Sequence, residues 1–396
     1  MANILNGIRV LDLSRVYSGP HCALLLSDLG AEVIKIEEPK AGDDSRTLPP
    51  YYQGQPYFFV ENNRGKKGIT LDLRTEKGRD ILLKLAGKSD VLLENFTPGV
   101  MDRFGLDYAR LREVNPRIIY ASISGFGQTG PYRSLMAYDM VVTAISGFMS
   151  LTGEPERPPV RMNVAVADFT ASLYATIAIL AALMHVRETG RGQYLDVSMF
   201  DGMWDMISSV GLPRYIAKNE VLTRTGNESP VFAPHGLYEA KDGYINITSV
   251  SNAQWYCLLK VLGREDLRED PRYASSSLRR KCKEEIDIML EAWLEPRTVN
   301  EAMMELQSAG VPAAAVLALD QVIDSPHVEA RELIVEVDQP GAGRMKVPGF
   351  PFKMSETPVE IAAGAPSLGQ HNAEIYGGLL GMSEDDLAQL KDEGVV

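Results

Sequence analysis

Ile8-Arg-Val-Leu-Asp-Leu13 is a short apolar run, and the way the chain continues from it decides the fold. A loop, Ser14-Arg-Val-Tyr-Ser-Gly-Pro20, leads into a helical pattern from His21 to Leu29. Gly30 closes that helix before a second apolar run, Glu32-Val-Ile-Lys-Ile36. Strand, helix and strand joined by links this short make a β-α-β unit, and Pro20 suits the first helical turn, where its missing N–H costs nothing. The loop at the carboxyl end of the first strand lacks the glycine fingerprint of a dinucleotide site, yet this is where open α/β sheets bind ligands.

The same alternation repeats outward. Ile69–Leu73 reads as a strand, Glu76–Ala86 as a helix, Ser89–Asn95 as a strand, Leu106–Val114 as a helix and Arg117–Ile123 as a strand. Such a series predicts a parallel sheet covered on both faces. Gly125-Phe-Gly-Gln-Thr-Gly130 follows a strand and spells G-x-G-x-x-G, but Pro131 and a polar stretch keep its last glycine away from any helix. A nicotinamide or flavin site is therefore not expected there.

Asn163-Val-Ala-Val-Ala-Asp168-Phe-Thr opens the longest helical pattern. Leu173, Ile177, Leu180 and Met184 recur at helical spacing until Thr189-Gly-Arg-Gly192. Asp168 is placed as the N-cap, accepting hydrogen bonds from the first free amides, and the helix dipole there favours its ionised form. Phe169 to Val186 is interrupted by Thr170, Ser172, Thr176 and His185, which predicts a buried core helix rather than a membrane span. Tyr194–Ser198 is a further strand and Met199–Val210 an apolar helix.

Composition narrows the function. Of 396 residues, 45% are hydrophobic and 23% charged, as in an ordinary globular protein. A net charge of -13 argues against a nucleic-acid partner and against a basic membrane-surface helix. The three cysteines (Cys22, Cys257, Cys282) have no zinc spacing, and no metal is expected. Met1-Ala-Asn-Ile-Leu carries no basic segment before an apolar one, so no signal peptide is expected and the cytoplasm is the expected compartment.

A polar stretch at Lys218–Pro230 reads as a linker. Beyond it come a β-hairpin around Asp242-Gly243, helices at Ala253–Leu262 and Lys281–Leu294, and a helix opened by the capping box Thr298-Val-Asn-Glu301. The cluster Arg279-Arg-Lys-Cys-Lys283 precedes Glu284-Glu285 and is expected to be a solvated helix start. From about Leu333 strands return, and the tail from Ser383 is an acidic helix. The expected organisation is a Rossmann-like large α/β domain over residues 1–217, a small α+β domain over 218–330 and a C-terminal segment, 331–396, that rejoins the first.

Three stretches together resemble the class III coenzyme A transferases, the family of formyl-CoA transferase and carnitine CoA-transferase. They are Gly7-Ile-Arg-Val-Leu-Asp-Leu with Tyr17-Ser-Gly-Pro20 and Leu29-Gly-Ala-Glu-Val-Ile-Lys-Ile-Glu37; Glu94-Asn-Phe-Thr-Pro-Gly-Val-Met-Asp-Arg-Phe-Gly105; and Ala167-Asp168-Phe with Thr189-Gly-Arg-Gly-Gln193. The resemblance implies that Asp168 is a nucleophile and that Val16, Tyr17, Ser18, Leu71, Arg74, Asn95, Phe96 and Arg103 contact coenzyme A. It also implies that two subunits interlock as a homodimer. Arg74 and Arg103 suit bidentate phosphate contacts. Tyr138 and Gln254 suit orientation of the acid or the oxyanion, and a loop at Ser249–Ala253 is the expected lid. An acyl-CoA and a small carboxylic acid would be the substrates, with no cofactor besides the coenzyme thioester. Tyr17, Glu38 and the glycine-free Ser249–Gln254 depart from formyl-CoA transferase and argue against formate and oxalate as the acid pair.

Two other readings stand beside this one. A 2-methylacyl-CoA racemase would pair the aspartate with a histidine, but Ala137-Tyr138-Asp139 occupies that place, and a phenol is a poor proton shuttle near neutral pH. In a non-catalytic CoA-binding protein Asp168 would only cap its helix.

Overall fold

The computed structural model describes residues 4–361 and 363–396, so the start of the N-terminal segment read for a signal peptide lies outside the described residues. Six strands form one sheet: β1 (Arg9–Asp12), β2 (Glu32–Glu37), β3 (Lys67–Thr70), β4 (Val91–Glu94), β5 (Ile119–Ser124) and β6 (Tyr194–Ser198). Every neighbouring pair is parallel, in the order β3-β2-β1-β4-β5-β6. The order reverses between β1 and β4, which opens a crevice beyond their carboxyl ends.

Successive strand residues enter opposite cores. Val10, Val33 and Leu93 pack with α1 (Ser18–Asp28) and α7 (Val166–Thr189) on one face. Leu11, Ile34 and Leu92 pack with α3 (Glu76–Ala86), α5 (Tyr108–Val114) and the terminal helix Asn372–Leu380 on the other. Period-two side-chain alternation produces this division, and burial on both sides accounts for runs such as Val91-Leu-Leu-Glu94, in which no residue reaches solvent. The free edge of β3 is covered: the Gly68 N–H donates to His371 Nδ1 at 3.0 Å and the Thr70 N–H to Asn372 Oδ1 at 2.9 Å. Short helices α2 (Tyr57–Asn63), α4 (Val100–Arg103) and α6 (Asp139–Ile145) punctuate the loops, and α8 (Met199–Lys218) follows β6.

Two expectations about α7 need correction. Its buried face is the small one, with Ala167, Thr170, Ala171, Ala175, Thr176, Ala182 and, among larger residues, Ile179 and Val186. Leu173, Ile177 and Met184 are exposed. Small side chains let α7 lie close against α1 and the sheet, so the periodic large residues mark the outer face. Moreover, the helix starts at Val166 with Ala165 as its N-cap, so Asp168 lies inside the first turn instead of capping it. Gly190, at φ 72, ends α7 in the left-handed conformation, as its sequence suggests.

Gly125–Gly130 is irregular chain. The Gly127 N–H donates to Ser124 Oγ at 3.0 Å, and no helix begins before Asp139.

By contacts the chain divides into two units. The first takes residues up to Phe148, Met162–Asn219 and His327–Val396, including the hairpin of β10 (Ile334–Gln339) and β11 (Gly343–Pro348). The second takes Met149–Arg161 and Glu220–Pro326. In it β9 (Ala313–Ala315), β8 (Gly243–Thr248) and β7 (His235–Ala240) form an antiparallel sheet. With it go α9 (Asn252–Val261), α10 (Ser276–Lys281), α11 (Lys283–Leu294) and α12 (Val299–Ser308), around Trp255, Leu258, Ile286 and Leu306. The Thr298/Glu301 capping box forms as expected.

The basic cluster is not wholly solvated. Arg279 is fully buried, donating to Asn252 Oδ1 at 2.8 Å and to the carbonyls of Tyr273 and Val250, both at 3.1 Å. Lys281 is exposed, and the half-buried Arg280 and Lys283 pair with Glu228. The three cysteines are free, and the described residues hold no group of ligands for a metal.

Candidate active site

The loop after β1 is held in an unfavourable shape by a polar floor. Val16 adopts φ +65, a conformation costly for a β-branched residue. Its N–H donates to Asp43 Oδ1 at 3.1 Å, and Asp43 is itself paired with the buried Lys35 at 2.8 Å. Lys66 pairs with Asp12 at 2.8 Å and also donates to the Pro20 carbonyl at 2.9 Å. Burial drives the Lys66 ammonium down to about 8, with Asp12 acting against the shift. From the facing strand, Asn95 clamps the loop: its Oδ1 accepts from the Arg15 N–H at 2.7 Å and its Nδ2 donates to the Arg15 carbonyl at 2.8 Å. A side chain at Gly19 would meet Ser14 Cβ at 2.2 Å, so only glycine fits there.

This loop brings Ser18 beside Asp168, where its hydroxyl and backbone N–H favour the charged form of the carboxylate. Burial first, then the charge of Asp139, raises the Asp168 carboxyl to about 6, against the pull of the Ser18 bonds. The group is still mainly ionised at neutral pH. Asp139 performs the capping that the sequence assigns to Asp168, with its Oδ2 accepting from the N–H of Ala167 at 2.7 Å and of Asp168 at 3.4 Å. The Val166 and Phe169 amides bond to the carbonyls of Val164 and Ala165. The start of α7 therefore offers no free amide to an oxyanion.

Around the carboxylate the wall is aromatic. The His21 ring lies 5.5 Å from that of Tyr17 and 5.1 Å from that of Phe169, with its Nδ1 2.8 Å from Ser172 Oγ. Burial, then Lys66 and Arg64, pulls His21 down to about 4, so it is neutral at physiological pH. Burial, then Glu61, Asp168 and Asp139, raises the Tyr17 phenol to about 12.

Asp168 opens onto a cavity of about 290 Å³ in the switch-point crevice, lined by Val16, Tyr17, Ser18, Asn95, Phe96 and Tyr138 among others. An adjoining cavity of about 260 Å³ carries Leu71, Arg74 and Glu38. Arg15 and Phe96 line both, with the Arg15 guanidinium 5.8 Å from the Phe96 ring centre. Arg15 was not among the residues expected at the site, although a basic second residue in the loop at the carboxyl end of the first strand was a usable signal.

The remaining candidates are engaged within the protein or line neither of these cavities. Arg74 is spent on Asp72 and Glu38, each at 2.8 Å, and these partners raise its pKa. Asn95 has its amide committed to the loop. Arg103 is exposed on α4 and lines neither cavity. Gln254 belongs to the second unit, where its Oε1 accepts from the Val250 and Ser251 N–H groups, both at 3.0 Å, in a capping box. Ser249–Ala253, the expected lid, is tied down by that box and by Arg279.

Residues 5–372 match the model of CoA-transferase family III. Among curated proteins, succinyl-CoA–D-citramalate CoA-transferase of Chloroflexus aurantiacus is 35% identical, over 99% of this chain and 98% of its own length. Succinate–glutarate CoA-transferase of Agrobacterium fabrum is 34% identical, over 94% of each. The crystal structure of a CAIB/BAIF family protein from Brucella suis superposes with a TM-score of 0.84 at 36% identity, covering 96% of this chain and all of that one. The chain is a member of CoA-transferase family III, and its sheet, its crevice and its aspartate are read within that family.

Proposed function

We propose that this enzyme transfers coenzyme A from an acyl-CoA thioester to a carboxylic acid, with Asp168 as the covalent nucleophile. One observation carries the reading: a carboxylate with no cationic partner among the described residues borders a cavity at the sheet's switch point, with Ser18 beside it.

An Asp168 oxygen attacks the thioester carbonyl. The C–S bond breaks, leaving a mixed anhydride and the coenzyme thiolate. The thiolate then attacks Asp168 Cγ, and the donor acid departs as its carboxylate, leaving an aspartyl-CoA thioester. An acceptor carboxylate attacks the same carbon, expels the thiolate and forms a second anhydride. Attack of the thiolate on the acceptor carbonyl yields the new thioester and restores the Asp168 carboxylate. No net proton is gained or lost, and one difficult exchange is divided into four related ones.

With the α7 amides engaged by Asp139, the N–H and O–H of Ser18 beside Asp168 are the candidate oxyanion donors. Tyr138, whose side chain is exposed, and the unengaged amide nitrogen of Gln254 are candidates for orienting the acid. Val16, Tyr17, Leu71 and Phe96 would line the pantetheine path, with Asn95 positioning the loop. A homodimer in the cytoplasm is the working state. The names of both relatives pair a succinyl or succinate group with another dicarboxylic acid, so succinyl-CoA is the first donor to test.

The test is transfer from succinyl-CoA to a panel of mono- and dicarboxylates, with hydroxylamine trapping during turnover. Asp168 should be recovered as its hydroxamate, and Asp168→Ala should lose on the order of 10³-fold or more in rate while still binding CoA. An unmodified Asp168 during active transfer would sink the covalent mechanism. Exchange of α-deuterium into a 2-methylacyl-CoA without transfer would favour the racemase.

A further inference from the structure

A third cavity, of about 310 Å³, meets the Asp168 cavity at Thr97 and Pro98 and is bordered by Gly99 and Arg133. Two guanidinium groups converge on Gly99. The point where a side chain would begin lies 3.6 Å from an Arg103 terminal nitrogen and 3.8 Å from one of Arg133. Gly99 has φ +85, so it leaves that point empty in a conformation other residues rarely adopt.

Both arginines are exposed, and among the described residues neither has an ion-pair partner. One carboxylate, that of Asp102, comes within 4.0 Å of the same point without pairing with either. Glu94, also on the cavity wall, is committed to the Phe96 N–H at 2.7 Å and to the Ser122 hydroxyl. Two like charges drawn to one spot repel each other, and being exposed they gain little from packing. A doubly charged oxyanion between them would offset the repulsion, and guanidinium forks match phosphate oxygens in pairs. Arg74, by contrast, is already neutralised by Asp72 and Glu38.

We propose that Arg133 joins Arg103 in gripping a phosphate group of the coenzyme, with the oxyanion seated over Gly99. This rests on the transferase reading for the identity of the ligand. Arg133 lines the neighbouring cavity and not that of Asp168, so it serves binding, with no part in bond-making.

The test compares wild type with Arg133→Gln, using calorimetric binding of CoA and of 3′-dephospho-CoA, and turnover of succinyl-CoA against succinyl-pantetheine. Removing one fork should weaken CoA binding about tenfold and by no less than threefold, while kcat/KM for the phosphate-free pantetheine thioester stays the same. If the loss disappears with 3′-dephospho-CoA, the 3′-phosphate is the group held; if it persists, the diphosphate is. A loss below threefold, or an equal loss with the pantetheine thioester, overturns the proposal. CoA binding without any transfer by wild type would sink the transferase reading alone, because the binding comparison needs no turnover.

Discussion

Asp168 is buried, with a second carboxylate, Asp139, and the neutral Ser18 beside it, and this arrangement sets its acid–base behaviour. With the group raised to about 6, kcat/KM should fall with unit slope as pH drops below about 6, because only the ionised form attacks. A rate flat to pH 5 would contradict the nucleophilic role. Stability should move the opposite way. The folded carboxyl binds its proton more tightly than the unfolded one, whose value is near 3.8. Its contribution to stability is therefore fully present below pH 3.8 and is lost as pH rises through about 6. Asp168→Asn should accordingly stabilise the protein at pH 8, by on the order of 2 kcal/mol, with the gain gone at pH 3.5. Melting temperatures of the two forms at the two pH values check this; an asparagine form that melts lower at pH 8 would mean that the Ser18 bonds outweigh burial and Asp139. The residue was legible in the sequence as an acid opening a helix, but its position inside the first turn was not. The cap comes from Asp139, distant in the chain, and sequence spacing carries no trace of a cap supplied from elsewhere.

At the scale of elements, the loop from Ser14 to Ser18 and the helix α7 show what local patterning can and cannot convey. Strands β1 and β2 and the helix between them were readable because burial on both sheet faces writes continuous apolar runs. The loop's conformation was not, because Asn95 and Asp43 impose it from other parts of the fold. Asn95→Ala removes both clamps and strands the Arg15 amide, which should cost about 2 kcal/mol and raise KM for acyl-CoA severalfold, with the larger effect at the CoA site. Urea unfolding together with initial rates would show it; unchanged KM would mean that the loop holds its shape without the clamp. For α7 the misreading was one of face. Large apolar residues at helical spacing point to the core, yet the sheet side requires alanine, serine and threonine for close approach. Ala175→Leu should thus destabilise the protein by about 1–3 kcal/mol through overpacking, whereas Ile177→Ser should leave the subunit's own packing nearly untouched. Equal losses for the two would mean that the large residues of α7 also pack within the subunit. Arg279 was misread for a related reason, since a run of basic residues does not disclose that one of them turns inward to satisfy carbonyls.

For the whole molecule, the outer faces of α7 and α8 pose the remaining question. Ile177 is 61% exposed, Met184 68% and Ile216 74%, with Trp204, Val210 and Tyr215 also open to solvent. Apolar exposure on two helices that pack together is what a surface covered by a partner looks like. α7 is long and apolar enough for a membrane span, but its small-residue face packs against α1 and the sheet of its own unit. A second copy of the chain is the cover that the family resemblance implies. Light scattering should then give twice the 43.6 kDa of one chain, and Ile177→Glu combined with Ile216→Glu should lower it to a single chain or leave the protein insoluble. Interlocking makes a stronger demand. The chain leaves its first unit after Phe148, rejoins it at Met162, leaves again after Asn219 and returns at His327. If two such chains are threaded through each other, they cannot separate without local unfolding, however dilute the solution. Two differently tagged preparations, mixed under native conditions and followed for days, should form no mixed dimers, and should form them readily after denaturation and refolding together. Exchange within hours in native buffer would show that the apolar faces dock side by side and that the subunits are not linked.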